Sequence, residues 1–562
     1  MKHFYVWALL MCTAVIAVAQ ETFPINGIRD IRTGSYAFTN ATIVQNEKTK
    51  IEKATLLIKQ GKITAVGTSV VIPKDAVVVN CEGKYIYPSF VDAFTDYGVG
   101  APKRPTGAFN YGGPGQFVSN KPGAYNWNQA IKPEVNAADV FNIDESSAKN
   151  YRANGFGSVF THIKDGIARG TGAVVSLATD NNNQALLKTK AAAVYSFEKG
   201  SSTQSYPSSL MGSIALLRQT YLDAKWYQTK PASEGTNLSL EAWNNTQNMP
   251  QIFSTDDKWG AVRADRLGDE FGVQYIIKGG DNGYQRMEEI VKTKANYILN
   301  VDFPEAMDVE DPNDARFVSL ADMKHWELAP TNLAAFEKAN VTFSISSSDL
   351  KDSKTFLTNL RKAIRYGLSE TKALEALTKT PATMLGVYDQ VGSLEAGKWA
   401  NFIITTEPIF ATNAKIIENW VQGNKYEVAE SEWNNYAGKY KLTLNTGGTN
   451  TEYNLEVKKD LSASIIGTDT LAAKITINES LVKITFPNKK GRGAEQIRLG
   501  GAIVGANWSG IGTDPAGNKN TWTASLVGPM TSTADTKRNT DTTKPLAKIT
   551  YPFAGFGNEK IP

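Results

Sequence analysis

Apolar residues recur at every second position near the start of the chain. Ala41-Thr42-Ile43-Val44 and Ala54-Thr55-Leu56-Leu57-Ile58 read as strands with one buried face. The second run passes through Gln60-Gly61 into Lys62-Ile63-Thr64-Ala65-Val66-Gly67, which predicts a hairpin. Val77–Val79 and Tyr85–Tyr87 predict further strands. From about residue 137 the pattern changes. Strand-like runs at Ser158-Val159-Phe160, 173–177, Gln274–Ile277, Tyr297-Ile298-Leu299 and Val341–Ile345 are separated by helical periodicity. Ser209–Trp226 predicts a helix with Ile214, Leu217, Tyr221 and Leu222 on one face. Lys354–Tyr366 predicts another, stopped by Gly367. Such alternation over roughly 280 residues argues for an α/β fold with parallel strands, and the length favours a (β/α)8 TIM-like barrel.

Two other stretches stand apart. Residues 100–135 are rich in Gly, Pro, Asn and aromatics, which predicts a long ordered loop running from Phe109 to Trp127. Near Trp433 strict alternation returns, as in Tyr440-Lys441-Leu442-Thr443-Leu444 and Leu481–Phe486. This predicts a C-terminal antiparallel β module, barrel or sandwich, over 431–530, followed by a linker-like tail over 531–562. The run Tyr551–Pro562 reads as a lead-in to a further module, so the chain is expected to be the first part of a tandem protein.

Composition narrows the class. The 562 residues are 41% hydrophobic and 21% charged, enough for a sizeable core. The formal charge of +4 comes without a dense basic cluster, so nucleic-acid binding is not expected. Lys2 and His3, an apolar run from Val6 to Val18 and Ala17-Val18-Ala19 have the form of a signal peptide over 1–19. The expected location is therefore the periplasm or beyond. No membrane span is expected, since that apolar run is short and nothing later is longer. Cleavage would remove Cys12 and leave Cys81, read as a half-buried structural thiol because it sits in a strand-like run.

Several motifs carry a family resemblance. Thr380-Pro381-Ala382-Thr383-Met384-Leu385-Gly386 and Gly392-Ser393-Leu394-Glu395-Ala396-Gly397-Lys398-Trp399-Ala400-Asn401 resemble the barrel edge of the amidohydrolase superfamily, in its imidazolonepropionase-like branch. Ala65-Val66-Gly67, Glu82-Gly83-Lys84 and Pro88 resemble its N-terminal approach to the barrel. The resemblance implies a barrel over 88–385 beside a composite β-sandwich domain formed by 20–87 and 386–430.

The same resemblance implies a metal site that this chain does not supply. The family places His-x-His after the first barrel strand, single histidines after the fifth and sixth, and an aspartate after the eighth. Here Pro88–Asp96 keeps Asp92 but puts Phe94 and Asp96 at the histidine positions. Phe253-Ser254 stands after strand five, Lys278 near the strand-six histidine, and Asp349 at the strand-eight aspartate. Beyond the leader the only histidines are His162 and His325, neither at a ligand position; His325 reads as helix surface. Lys278 and Asp349 are expected to pair where the metals belong, with His162 at a strand end as a further binding candidate. No cofactor is expected. The alternative is a single divalent metal held by Asp92, Asp96 and Asp349 through oxygen alone. The Arg169-Gly170-Thr171-Gly172 run lacks the context of a phosphate loop.

Two functions follow as expectations. One is a pseudoenzyme: a non-catalytic cell-envelope module that binds a small molecule, a peptide or a second amidohydrolase module. The other is an active hydrolase for non-peptide C–N or dipeptide bonds, with Asp349 as its catalytic carboxylate. A sugar-related role for the C-terminal module rests on Trp508 and Trp522.

Overall fold

The computed structural model describes residues 34–102, 115–178, 181–229, 235–429, 436–458, 461–478, 480–491, 494–504 and 507–528. The stretch read as a signal peptide with its Cys12, the Phe109 end of the aromatic loop, Trp433 and the tail beyond Gly528 lie outside these residues. One compact unit ends at Val428 and a second begins at Ala429.

The first unit opens with β1 (Ser35–Val44), β2 (Lys50–Lys59), β3 (Lys62–Gly67), β4 (Val77–Asn80) and β5 (Tyr85–Pro88). The β2–β3 hairpin turns at Gln60 and Gly61, whose φ values of 53° and 74° suit a turn left-handed at both central residues. Cys81 is fully buried just beyond β4, and burial pushes its thiol up to about 12, which makes it inert.

The barrel strands are β6 (Phe90–Thr95), β7 (Phe156–Thr161), β8 (Ala168–Ser176), β9 (Leu186–Ser196), β10 (Gln251–Ser254), β11 (Ile276–Lys278), β12 (Asn296–Asn300) and β13 (Phe343–Ser346). They follow one another in sequence order around an eight-stranded sheet. Seven run parallel. The third, β8, is antiparallel to both β7 and β9. The expected barrel therefore forms with one strand turned round. Only residues 162–167 link β7 to β8, too few for the dozen or so residues that a parallel crossover requires.

Alternation along the strands builds two cores. Inward residues such as Val91, Phe160, Val194, Ile252, Ile276 and Ile298 fill the barrel. Outward rings at Phe156, Tyr195, Phe253, Tyr275, Tyr297 and Phe343 lie under the surrounding helices. Each such ring contributes roughly 1.5–3 kcal/mol by burial. The principal helices are α1 (Glu145–Ala153), α2 (Leu210–Gln228), α3 (Leu238–Thr246), α4 (Lys258–Phe271), α5 (Met287–Lys292), α6 (Leu320–Leu328), α7 (Asn332–Lys338), α8 (Phe356–Arg365), α9 (Glu370–Leu377) and α10 (Lys379–Met384). In α2, Leu217 and Tyr221 are buried as expected, but Leu222 is 54% exposed and faces outward. Helix α10 contains Pro381 at its third position, where a missing N–H still costs no helical bond, and Gly386 ends the motif at φ 67°.

After the barrel, β14 (Phe402–Thr405), β15 (Ile416–Val421) and β16 (Asn424–Glu427) return to the early strands. Antiparallel pairing of β14 with β5 joins both chain segments into one branched eight-stranded sheet, the composite β domain that the resemblance implied.

The second unit is a closed antiparallel barrel of β17 (Gly438–Thr446), β18 (Thr449–Val457), β19 (Ser462–Ile466), β20 (Thr470–Asn478), β21 (Leu481–Pro487), β22 (Gln496–Val504), β23 (Asn507–Thr513) and β24 (Lys519–Gly528). Trp508 and Trp522 are each 1% exposed and belong to its core. They offer no surface to a sugar, which removes the basis of that expectation.

Candidate functional site

The C-terminal ends of the parallel strands define the barrel mouth, where catalysis sits in folds of this kind. The first element there is Asp92 on β6, fully buried at the seam where the sheet does not close between β6 and β13. One carboxylate oxygen accepts from the Phe94 N–H at 3.1 Å and the Ser346 hydroxyl at 2.5 Å. The other accepts from the Ser347 N–H at 2.9 Å and the Ser347 hydroxyl at 2.6 Å. Burial pushes the carboxyl up from its ordinary range, and these four donors pull against it. Asp92 is a strut between the first and last barrel strands, and neither oxygen is free for a metal.

Phe94 stands where the family resemblance implies a histidine. Its ring centroid lies 4.4 Å from that of His162, which also stacks on Phe160 at 5.8 Å. His162 is completely buried, and neither ring nitrogen has a hydrogen-bond partner among the described residues. Burial holds the imidazole well below its usual 6.5, and the nearby Arg169 and Lys164 push it the same way. The folded protein thus refuses a proton that the unfolded chain accepts below about pH 6.5. Stability is expected to be full above pH 6.5 and to fall as pH drops below it. Denaturant titrations from pH 8 to pH 5 should show this slope reduced in His162→Phe.

Lys278 ends β11 with its side chain 5% exposed, and its ammonium donates to the Asp349 carboxylate in a tight ion pair. The Asn300 amide donates to the same carboxylate oxygen at 3.0 Å. The backbone N–H and the hydroxyl of Thr255 both donate to the Lys278 carbonyl at 2.9 Å, fixing the strand end that carries the lysine. Asp349 has its side chain 42% exposed and sits at φ 68°, an unusual backbone state for a non-glycine residue. Burial alone would raise its pKa, but Lys278, then Asn300 and Lys164, hold the carboxyl below its ordinary value.

Asp96 points outward and pairs with Lys164 at 3.5 Å. Asp92, Asp96 and Asp349 therefore each have their own partners. Among the described residues no group of three or more His, Cys, Asp or Glu side chains is placed to hold a metal. The divalent metals that the family resemblance implies do not fit this set of residues: a phenyl ring and an ammonium stand where neutral imidazoles would have to donate. His325 is less open than its helix suggested. It is 26% exposed and contacts Asp281 at 3.2 Å and Tyr284 at 3.0 Å, holding α6 to the loop after β11. The Arg169–Gly172 run is a buried part of β8. Its glycines allow close packing, since a Cβ at Gly170 would lie 2.0 Å from the Val135 carbonyl and one at Gly172 2.2 Å from the Phe160 ring.

Sequence reasoning missed Ser346, Ser347 and Asn300. The signal was present in Ser344-Ile345-Ser346-Ser347-Ser348: hydroxyls on an otherwise buried final strand need acceptors, and Asp92 is the acceptor in reach.

Fold and site together define an eight-stranded α/β barrel with a composite sheet beside it. Residues 300–428 match the model of the amidohydrolase family. Among solved structures, an amidohydrolase from Thermotoga maritima MSB8 superposes with a TM-score of 0.55 at 22% identity, covering 70% of this chain and 100% of that one. That likeness is one of fold. A prolidase in complex with N-methylphosphonate-L-proline matches at TM-score 0.41 and 14% identity, covering 70% of this chain and 99% of that one. Molinate hydrolase matches at 0.42 and 12%, covering 71% and 96%. No curated protein matches the chain by sequence. Among the described residues no helix is long and apolar enough to cross a membrane.

Proposed function

We propose that this is an exported amidohydrolase-family module, located in the periplasm or outside the cell, that has given up metal-dependent hydrolysis and binds a ligand or a second amidohydrolase module. The observation that carries this reading is the Lys278–Asp349 pair. An ammonium takes the place of a metal ligand and neutralises the aspartate that would otherwise accept a proton from metal-bound water. With Asp92 committed to four donors and Asp96 to Lys164, the remaining carboxylates have no shared centre.

Metal analysis of the purified protein tests this. We expect no stoichiometric divalent metal, and no turnover of N-acyl amino acids, dipeptides or imide rings with or without added Zn²⁺ or Mn²⁺. A stoichiometric metal that disappears in Asp349→Ala would overturn the reading in favour of an active hydrolase with an oxygen-ligand site. The partner part of the proposal predicts that an amidohydrolase from the same host co-purifies with the tagged protein; a clean preparation without one would count against it.

A further inference from the structure

Helix α2 is apolar on two faces. Leu216, Leu217, Tyr221, Ala224 and Tyr227 are buried against the barrel. On the opposite side Met211 is 79%, Leu222 54% and Trp226 51% exposed, with Ala215 exposed between them. These four fall at helical spacing on one stripe. Large apolar side chains on the outer side of an otherwise amphipathic helix have no cover among the described residues.

The stripe continues beyond the helix. The Tyr206 hydroxyl donates to the Gly212 carbonyl at 3.0 Å, and Trp127 stacks on Tyr206 at 6.1 Å. Phe117 and Val118, 65% and 73% exposed, stand on the same loop as Trp127. That loop is held firmly in place. The fully buried Gln204 donates to the Phe117 and Trp127 carbonyls at 3.0 Å each and accepts from the Gln129 N–H at 2.5 Å. A buried polar bracket thus keeps large apolar side chains in water, the signature of an interaction surface rather than of a loose loop.

We infer that this face is the interface of a homodimer, in which α2 packs antiparallel against α2 of a second copy. Three features favour a second copy. The stripe is self-complementary under a twofold axis: its midpoint lies at Arg218 and Gln219, so Met211 of one helix meets Trp226 of the other. Arg218 brings no uncompensated charge to that axis, because Glu270 on α4 already pairs with it through two contacts. The exposed side chains of the stripe and loop together offer apolar area on the order of the ~800 Å² per partner of a standard interface.

The test is sedimentation and light scattering of the full chain without its leader, across a concentration series. We expect a dimer at micromolar protein, converted to monomer by Leu222→Glu with Met211→Glu, with the circular dichroism unchanged. Gln219→Cys is a second probe that does not depend on those substitutions. It should form a disulfide-linked dimer on oxidation, whereas cysteine at Lys190 on β9 should not; Cys81 is buried and will not interfere. A monomer at all concentrations, with no linkage through position 219, would overturn the inference. Binding of the monomer to anionic or neutral lipid vesicles through the same residues would reassign the stripe to a membrane surface.

Discussion

Asp92→Ala is expected to open the barrel seam and leave little soluble protein. The substitution strands the N–H groups of Phe94 and Ser347 and the hydroxyls of Ser346 and Ser347, all of them buried except at the partly exposed Ser347. The two hydroxyls can turn to other acceptors, but the two backbone donors cannot. At about 1–3 kcal/mol for each unsatisfied buried group, the loss is about 4 kcal/mol before any cavity cost. That is a large fraction of the 5–15 kcal/mol by which a typical domain is stable. Asp92→Asn keeps an acceptor of the same shape and should cost clearly less. Urea denaturation of the two variants, followed by tryptophan fluorescence, gives the comparison. Equal losses in both would show that the seam does not depend on the carboxylate as an acceptor.

The second large effect concerns Lys278 and Asp349, and it is asymmetric. Asp349→Ala leaves an ammonium almost wholly buried with no counter-charge, at a cost below the roughly 3–5 kcal/mol of a fully buried pair because Asp349 itself is 42% exposed. Lys278→Met leaves a carboxylate that is 42% exposed and can take water, so it should cost no more than about 1–2 kcal/mol. The double change Lys278→Met with Asp349→Asn should recover most of the loss, because both charges leave together. Equilibrium unfolding of the three variants measures this. A double variant as unstable as Asp349→Ala would show that the pair does more than neutralise itself. Acid acts on the same pair. The folded carboxyl sits below its ordinary value of 3.8, so its contribution is full above that pH and is lost as pH falls through the folded value.

Much of this was legible in the chain. The Lys278–Asp349 pair forms as the family resemblance implied, and the hairpin at Gln60-Gly61 and the alternating C-terminal module form as their patterns predicted. Three features were hidden for physical reasons. The reversal of β8 is written in the length of the 162–167 link, not in hydrophobic periodicity, and periodicity alone does not tell a parallel strand from an antiparallel one. Leu222 was assigned to the buried face of α2 because a helical wheel with two apolar faces has no single inward side. Trp508 and Trp522 suggested a binding surface because tryptophan is common there, yet in a small closed barrel large rings are needed to fill the interior.

The pairing of β5 with β14 sets an order of events during synthesis. Residues 85–88 must wait for residues 402–405 before their edge is covered, a separation of more than three hundred positions. A nascent chain released before that point carries an uncovered strand edge, so the first unit is expected to depend on holdase chaperones while it is being made. The second unit makes the opposite demand: every strand except the closing pair joins its neighbour in sequence, and it can assemble as soon as β24 is available.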